Sequence, residues 1–156
     1  MPSFSNRRRV RYSPQQMFDV VADIERYPEF LPLCESLAVT DRDTSGRETR
    51  LVARMAVGYK GLRETFTTRV TLKPDLPAIL VEYLDGPFHH LENRWRFLAA
   101  PDGSEIDFYI DYEFRSGMLA LLMGSVFDQA FHRFSEAFEE RARHVYGVAS
   151  PSTETA

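Results

Sequence analysis

The side chains best suited to chemistry are the four histidines and the single cysteine. His89 and His90 are adjacent, and neighbouring residues of a strand point to opposite faces, so they cannot bind one metal ion together. His132 and His144 have no partner at metal-ligand spacing. Cys34 has no obvious activating base, which favours a structural thiol over a nucleophile. The chain also lacks nucleophile-elbow, Walker A and dinucleotide-binding glycine motifs. We therefore predict no catalytic residues, no metal site and no cofactor.

Two polar residues allow more than one interpretation. Asn93 interrupts an apolar strand face, where it either satisfies a hydrogen bond at the strand end or provides a polar group inside a pocket. Lys60 lies in the turn between Gly58 and Gly61. The surface is the usual place for a lysine, although this one could reach a ligand head group.

Composition limits the function classes. The chain has 156 residues, 44% of them hydrophobic, with 12 Phe and 7 Tyr, enough aromatic side chains to fill a core or to line an apolar cavity. The net charge of -4 argues against a general nucleic-acid-binding surface, and the basic run Arg7–Arg11 is expected on a solvated face. The longest apolar run, Met118–Phe127, falls well short of the ~20 residues that cross a bilayer. We expect a soluble cytoplasmic protein, peripheral at the inner membrane if this run contacts lipid.

The stretch Gly117–Val145 predicts a long amphipathic helix. Its first turns, Leu119–Phe127, are apolar nearly all round, which predicts that they form a cavity wall and gate. The apolar stripe along the whole helix comprises Met123, Phe127, Ala130, Phe131, Phe134, Phe138 and Val145.

The rest of the chain is predicted to form the surface on which that helix lies. Residues 3–12 alternate as an edge strand, with Arg8 as an exception on the apolar side, and Ser13-Pro14 opens a short helix. From residue 37 to residue 114 apolar side chains recur with period two between Gly-, Pro- and Asp-containing turns, as in an antiparallel meander with one buried face. Arg94 and Arg96 should face acidic residues of the next strand.

The segment Tyr27–Cys34 combines two prolines with apolar bulk. The prolines permit only a short helical turn between Pro28 and Pro32. Two interpretations stay open: a loop packed on the core, or a lid at the mouth of a cavity.

This order of elements resembles the START-like, helix-grip fold. Asp23–Cys34 (DIERYPEFLPLC) and Gly86–Phe97 (GPFHHLENRWRF) resemble the signatures of the coenzyme Q-binding protein family, and the similarity extends over residues 3–146. It implies an α+β fold in which a curved antiparallel sheet of about seven strands wraps around a long C-terminal helix, with two short helices after the first strand. We expect one domain over residues 1–146 and a disordered tail over residues 147–156. Since no organelle leader is recognisable, the chain resembles the bacterial branch, which includes ribosome association toxin A-like proteins.

The resemblance implies an isoprenoid quinone, ubiquinone first, or another apolar lipid as ligand, bound without catalysis in support of respiration. Its alternatives are a ribosome-directed regulator of translation and an aromatase/cyclase-type enzyme. DNA is not an expected partner. For each candidate residue ordinary core packing is the competing account. The candidate ligand-binding residues are Tyr27, Phe30, Leu31, Phe66, Val70, Tyr83, Leu91, Asn93, Trp95, Phe97, Phe108, Tyr112, Leu122, Met123, Phe127 and Phe131.

Overall fold

The computed structural model describes residues 3–147, in which seven antiparallel strands form one sheet and a long C-terminal helix packs on its inner face. The strands lie in the order β1-β7-β6-β5-β4-β3-β2. The elements are β1 (Ser3–Val10), α1 (Pro14–Ala22), a 3₁₀ helix (Ile24–Glu29), β2 (Cys34–Ser45), β3 (Glu48–Tyr59), β4 (Leu62–Lys73), β5 (Ala78–Asp85), β6 (Phe88–Ala100), β7 (Gly103–Phe114) and α2 (Gly117–Tyr146).

The sheet confirms the predicted meander. Each strand from β2 to β7 pairs with the next one along the chain, and β1 closes the order at one edge by pairing with β7. Arg96 lies opposite Asp107, 3.9 Å away between charged atoms, as the charge pattern predicts. Arg94 instead covers the ring of Tyr109 at 4.6 Å. These contacts on the wet face help to hold the register.

The two short helices follow β1 as expected. Ser13 caps α1 by accepting a hydrogen bond from Gln16 N, and the Gln16 side chain accepts one from Ser13 N in return. The second helix lies earlier than predicted. It is the 3₁₀ helix Ile24–Glu29, which contains Pro28, whereas the predicted turn begins after Pro28. The predicted turn between Pro28 and Pro32 is therefore wrong in position. A proline near the end of a short helix leaves few backbone bonds to lose.

Helix α2 buries most of the predicted stripe. Met123, Phe127 and Phe138 are buried against the sheet. Val145 is exposed, which corrects the predicted stripe at its end. The buried face there is completed by the small side chain of Ala142, which lets the last turns approach the neighbouring elements.

Arg8 lies on the inner face of β1, where the sequence pattern made it an exception. Its Nε is 2.6 Å from Glu139 Oε1 of α2. Ser135 Oγ of the same helix donates a hydrogen bond to Asn6 Oδ1 at 3.3 Å. The edge strand therefore meets the polar flank of α2, which gives the inward arginine a partner.

Helix α2 is capped at its C-terminus by Gly147, whose N–H bonds to Arg143 O and whose φ of 85° suits a residue without a side chain. The predicted tail from residue 148 onward lies outside the described residues. The division into one domain and a tail stays a prediction.

Candidate functional site

An apolar cavity of about 90 Å³ lies between the sheet and α2. Strands β2 to β7 form its floor, α2 forms its roof, and residues 24–34, here called the covering segment, close one side. No charged side chain is among its lining residues. They are Ile24, Tyr27, Leu31, Pro32, Leu33, Leu37, Ala53, Met55, Val57, Phe66, Thr68, Val70, Ile79, Val81, Leu91, Asn93, Trp95, Ile110, Phe127, Ala130, Phe131, Phe134 and Phe138.

Many of the residues proposed from sequence meet in this cavity. They come from the covering segment, from β4 and β6 and from the middle of α2. Those that line the cavity are Tyr27, Leu31, Phe66, Val70, Leu91, Asn93, Trp95, Phe127 and Phe131.

Other proposed residues lie outside the lining. Phe97, Phe108, Tyr112 and Met123 are buried core residues, so packing accounts for them. Phe30 and Tyr83 are partly buried at the edge of that core. Whether any proposed residue binds a ligand stays a prediction.

Of the predicted cavity wall Leu119–Phe127, Phe127 alone lines the cavity. Leu121 is 81% and Leu122 49% exposed, whereas Met123 is fully buried and Phe127 contacts the Phe88 and Phe114 rings. Successive residues of a helix are about 100° apart, so only one side of this apolar turn can face the sheet. Leu122 therefore does not line the cavity, and a gate at this residue stays a prediction.

The sequence interpretation missed several lining residues. Thr68 lies between Phe66 and Val70 on the inner face of β4, and Phe134 lies beyond the half of α2 assigned to the cavity. Strand alternation could have found Thr68. Pro32 and Leu33 also line the cavity and belong to the segment considered as a lid. The remaining missed residues are Ile24, Leu37, Ala53, Met55, Val57, Ile79, Val81, Ile110, Ala130 and Phe138.

Asn93 lies in the middle of β6, not at its end, and its amide is hydrogen-bonded; a role toward a ligand stays a prediction. Its Nδ2 donates to Tyr109 O at 2.9 Å, and its Oδ1 accepts a hydrogen bond from Trp95 Nε1 at 2.9 Å. The same amide lines the cavity. These bonds fix the amide orientation, because exchanging its N and O would break both.

The covering segment packs on the core and lines the cavity, while a lid that opens stays a prediction. Tyr27 donates its hydroxyl to Val21 O, and burial raises the pKa of its phenol. The Tyr27 and Phe30 rings each lie 5.2 Å from the Phe138 ring, edge to face. The segment therefore packs on the core while it covers the cavity.

An ion pair fastens the covering segment to α2. Arg141 Nη2 is 2.9 Å from Glu29 Oε1, and its guanidinium lies 5.1 Å from the centre of the Phe30 ring. Arg26 and Arg141 hold the pKa of Glu29 below its usual value. Because this pKa is lowered by folding, the contribution of the pair is present near neutral pH and is lost as the pH falls through the folded pKa.

We expect Arg141→Met to loosen the covering segment without unfolding the protein. Methionine keeps much of the contact with Phe30 but removes the charge that binds Glu29. Hydrogen exchange at the amides of Phe30 and Leu31, which bond to Tyr27 O, should become faster. Arg143→Met is the control, since Arg143 pairs with Glu140 within α2. Equal exchange in the two variants would rule out this role for the ion pair.

The residues first considered for chemistry lie apart from the cavity. His90 Nε2 is 3.0 Å from Asp111 Oδ2, His132 Nδ1 is 2.7 Å from Asp128 O, and Lys60 is exposed at a hairpin tip. Cys34 is buried, which raises the pKa of its thiol to about 11. Among the described residues, no three His, Cys, Asp or Glu side chains are grouped as metal ligands would be. Within residues 3–147 no helix has both the length and the apolar character needed to cross a membrane.

A curved seven-stranded sheet closed over an apolar cavity by a long C-terminal helix defines a START-like protein of the helix-grip class. Residues 10–139 match the family model described as polyketide cyclase/dehydrase and lipid transport. The chain belongs to this family.

Curated relatives cover nearly the whole chain. The persistence and stress-resistance toxin PasT of Escherichia coli O6:H1 is 36% identical over 95% of this chain and 91% of its own length. The ribosome association toxin RatA of Vibrio cholerae is 34% identical, covering 94% of this chain and 99% of its own. The mitochondrial coenzyme Q-binding protein COQ10 homolog B of Xenopus laevis is 30% identical over 92% of this chain, which spans 59% of that protein. These similarities confirm the family predicted from the two motifs.

Solved structures share the fold. An 18 kDa protein of Caulobacter crescentus superposes with a TM-score of 0.78 at 32% identity, covering 95% of this chain and all (100%) of its own. The Zhui aromatase/cyclase of Streptomyces has the same TM-score of 0.78 at 19% identity, covering 92% of this chain and 95% of its own. The second likeness concerns the fold alone.

Proposed function

We propose that this protein binds an isoprenoid quinone, ubiquinone first, in the cavity between sheet and α2, as a carrier and without catalysing a reaction. The observation that carries the proposal is the lining itself: hydrocarbon and aromatic groups with a few neutral polar atoms. Such a lining suits a ligand that is apolar over most of its surface. The coenzyme Q-binding name of the Xenopus relative supports the choice of quinone.

The size of the cavity adds a condition to this proposal. Its volume of about 90 Å³ is small, since pockets for small molecules are usually roughly 300–1,000 Å³. A quinone can therefore enter only if side chains or the covering segment move. For the covering segment to move, the ion pair between Arg141 and Glu29 must break.

Transfer from vesicles tests the proposal. Purified protein is mixed with phospholipid vesicles that contain ubiquinone and is then separated from them, and the extracted quinone is measured by mass spectrometry. We expect about one quinone per protein, and less after Trp95→Ala, because Trp95 is buried in the lining and its N–H bonds to Asn93. Folded protein that takes up no isoprenoid quinone would refute the proposal.

Co-sedimentation in the same samples checks the predicted bilayer contact through the exposed Met118, Leu121 and Leu122.

A ribosome-directed role is the second candidate, favoured by relatives with toxin names that match over nearly the full chain. The basic run Arg7–Arg11 at β1 is the candidate contact surface for this role. Arg7 lies 3.4 Å from Glu105, and Arg8 pairs with Glu139, so part of this charge is neutralised within the protein. Overexpression should reduce joined ribosomes in sucrose gradients if this role holds, and unchanged profiles would argue against it.

Catalysis of the aromatase/cyclase kind is the third candidate, but the cavity lining offers few groups that could act as acid or base. Its polar groups are the Tyr27 phenol, the Thr68 hydroxyl, the Asn93 amide and the Trp95 indole, and none of them is a strong acid or base near neutral pH. Turnover of a polyketide substrate by the purified protein would overturn the non-enzymatic proposal.

A further inference from the structure

Thr68 is a buried polar residue whose hydroxyl forms no hydrogen bond within residues 3–147, where Ser104 Oγ is the one completely enclosed side-chain nitrogen or oxygen atom without a partner. It is 5% exposed and lines the cavity from the inner face of β4, between Phe66 and Val70. Its neighbours in the lining are hydrocarbon side chains and rings. A hydroxyl without a partner in such surroundings costs free energy, whereas a valine of nearly the same shape would not.

The Asn93 amide is the second polar group on the cavity floor. One of its two N–H groups donates a hydrogen bond to Tyr109 O, and the other N–H group has no partner within the described chain. Thr68 lies opposite Tyr83 of β5, and Asn93 lies opposite Val81 of the same strand. With strands ~4.8 Å apart and residues ~3.3 Å apart along a strand, the two backbones are separated by roughly 12 Å.

That separation suits a ring that accepts a hydrogen bond at each end. The oxygens of a para-quinone, together with one hydrogen bond at each oxygen, span about 11 Å. Both protein groups can donate, and a quinone offers acceptors and no donors. A purely hydrocarbon lipid would leave both groups unsatisfied.

We propose that Thr68 and Asn93 determine ligand specificity by donating hydrogen bonds to opposite carbonyls of a quinone ring. This inference rests on the proposed binding of a quinone in the cavity. The quinone ring then lies on the part of the floor formed by β4 and β6, and the apolar tail contacts the other lining residues.

Replacement of Thr68 by valine tests the inference with two probes, a short-chain ubiquinone and an isoprenoid hydrocarbon of matched chain length. We expect Thr68→Val to weaken binding of the quinone about 3- to 10-fold, the usual value of one hydrogen bond. Binding of the hydrocarbon should be unchanged or tighter, and the thermal midpoint of the free protein should not fall. Thr68→Ser, which retains the hydroxyl, should restore binding of the quinone.

Thr71→Val is the matched control. Thr71 lies on the same strand and is also 5% exposed, but it does not line the cavity. It should change the affinity for neither probe. Equal weakening of both probes by Thr68→Val, or no change in either, would overturn the inference while leaving binding by the unaltered protein intact. Failure of the unaltered protein to bind the quinone would refute the proposed function itself.

Discussion

Phe138→Ala should lower the free energy of unfolding by about 3–5 kcal/mol, the usual cost of emptying a fully buried phenylalanine site. The Phe138 side chain is 1% exposed. Its ring meets Tyr27, Phe30 and Trp95 edge to face at 5.2, 5.2 and 5.1 Å. One residue of α2 therefore joins the covering segment to the sheet. Urea denaturation followed by circular dichroism measures the loss.

Phe134→Ala provides the comparison, four residues earlier on the same helix. Phe134 is only partly buried and already borders the cavity. Its removal leaves less new empty space and forfeits fewer contacts, so we expect less than half the loss seen for Phe138→Ala. Equal losses would show that both rings belong to one continuous core.

The sheet was predictable because its residues obey local rules. Along β7 the buried Ile106, Phe108 and Ile110 alternate with less buried residues, and this period of two follows directly from strand geometry. Turn residues marked the strand ends, and Arg96 opposite Asp107 agreed with the pairing. Arg8 did not fit the pattern because its partner, Glu139, is 131 residues away in the chain.

The cavity was harder to predict, because its position depends on how α2 is rotated over the sheet. The apolar residues at the start of that helix exceed what one face can bury. Composition alone could not decide whether Leu122 or Met123 would point inward. In the structure Met123 is buried, whereas Leu122 is 49% exposed.

The volume of the cavity is also beyond sequence reasoning. Aromatic side chains can enclose a space or fill it, and the outcome depends on how their rings interlock. Here the Phe127 and Phe131 rings, 5.8 Å apart and edge to face, both line the cavity under α2. Because the cavity of about 90 Å³ is small, binding of a large ligand must displace some of these rings.

Ala130→Leu should abolish binding of the quinone while leaving the protein folded. Ala130 is 6% exposed and lines the cavity from α2, and leucine is a good helix former. The added carbon atoms would occupy the space of about 90 Å³ that a ligand must enter. Because they fill existing space, we expect no loss of thermal stability. Uptake of ubiquinone from vesicles and the thermal midpoint are the two measurements.

Ala142→Leu is the matched control for this substitution. Ala142 lies on the same helix and is 0% exposed, but it does not line the cavity. Leucine there has no space to fill, so it should cost about 1–3 kcal/mol of stability through overpacking. It should leave binding of the quinone intact at temperatures where the variant is folded. Unaltered uptake of quinone by Ala130→Leu would show that the ligand binds elsewhere, because a blocked cavity cannot hold it.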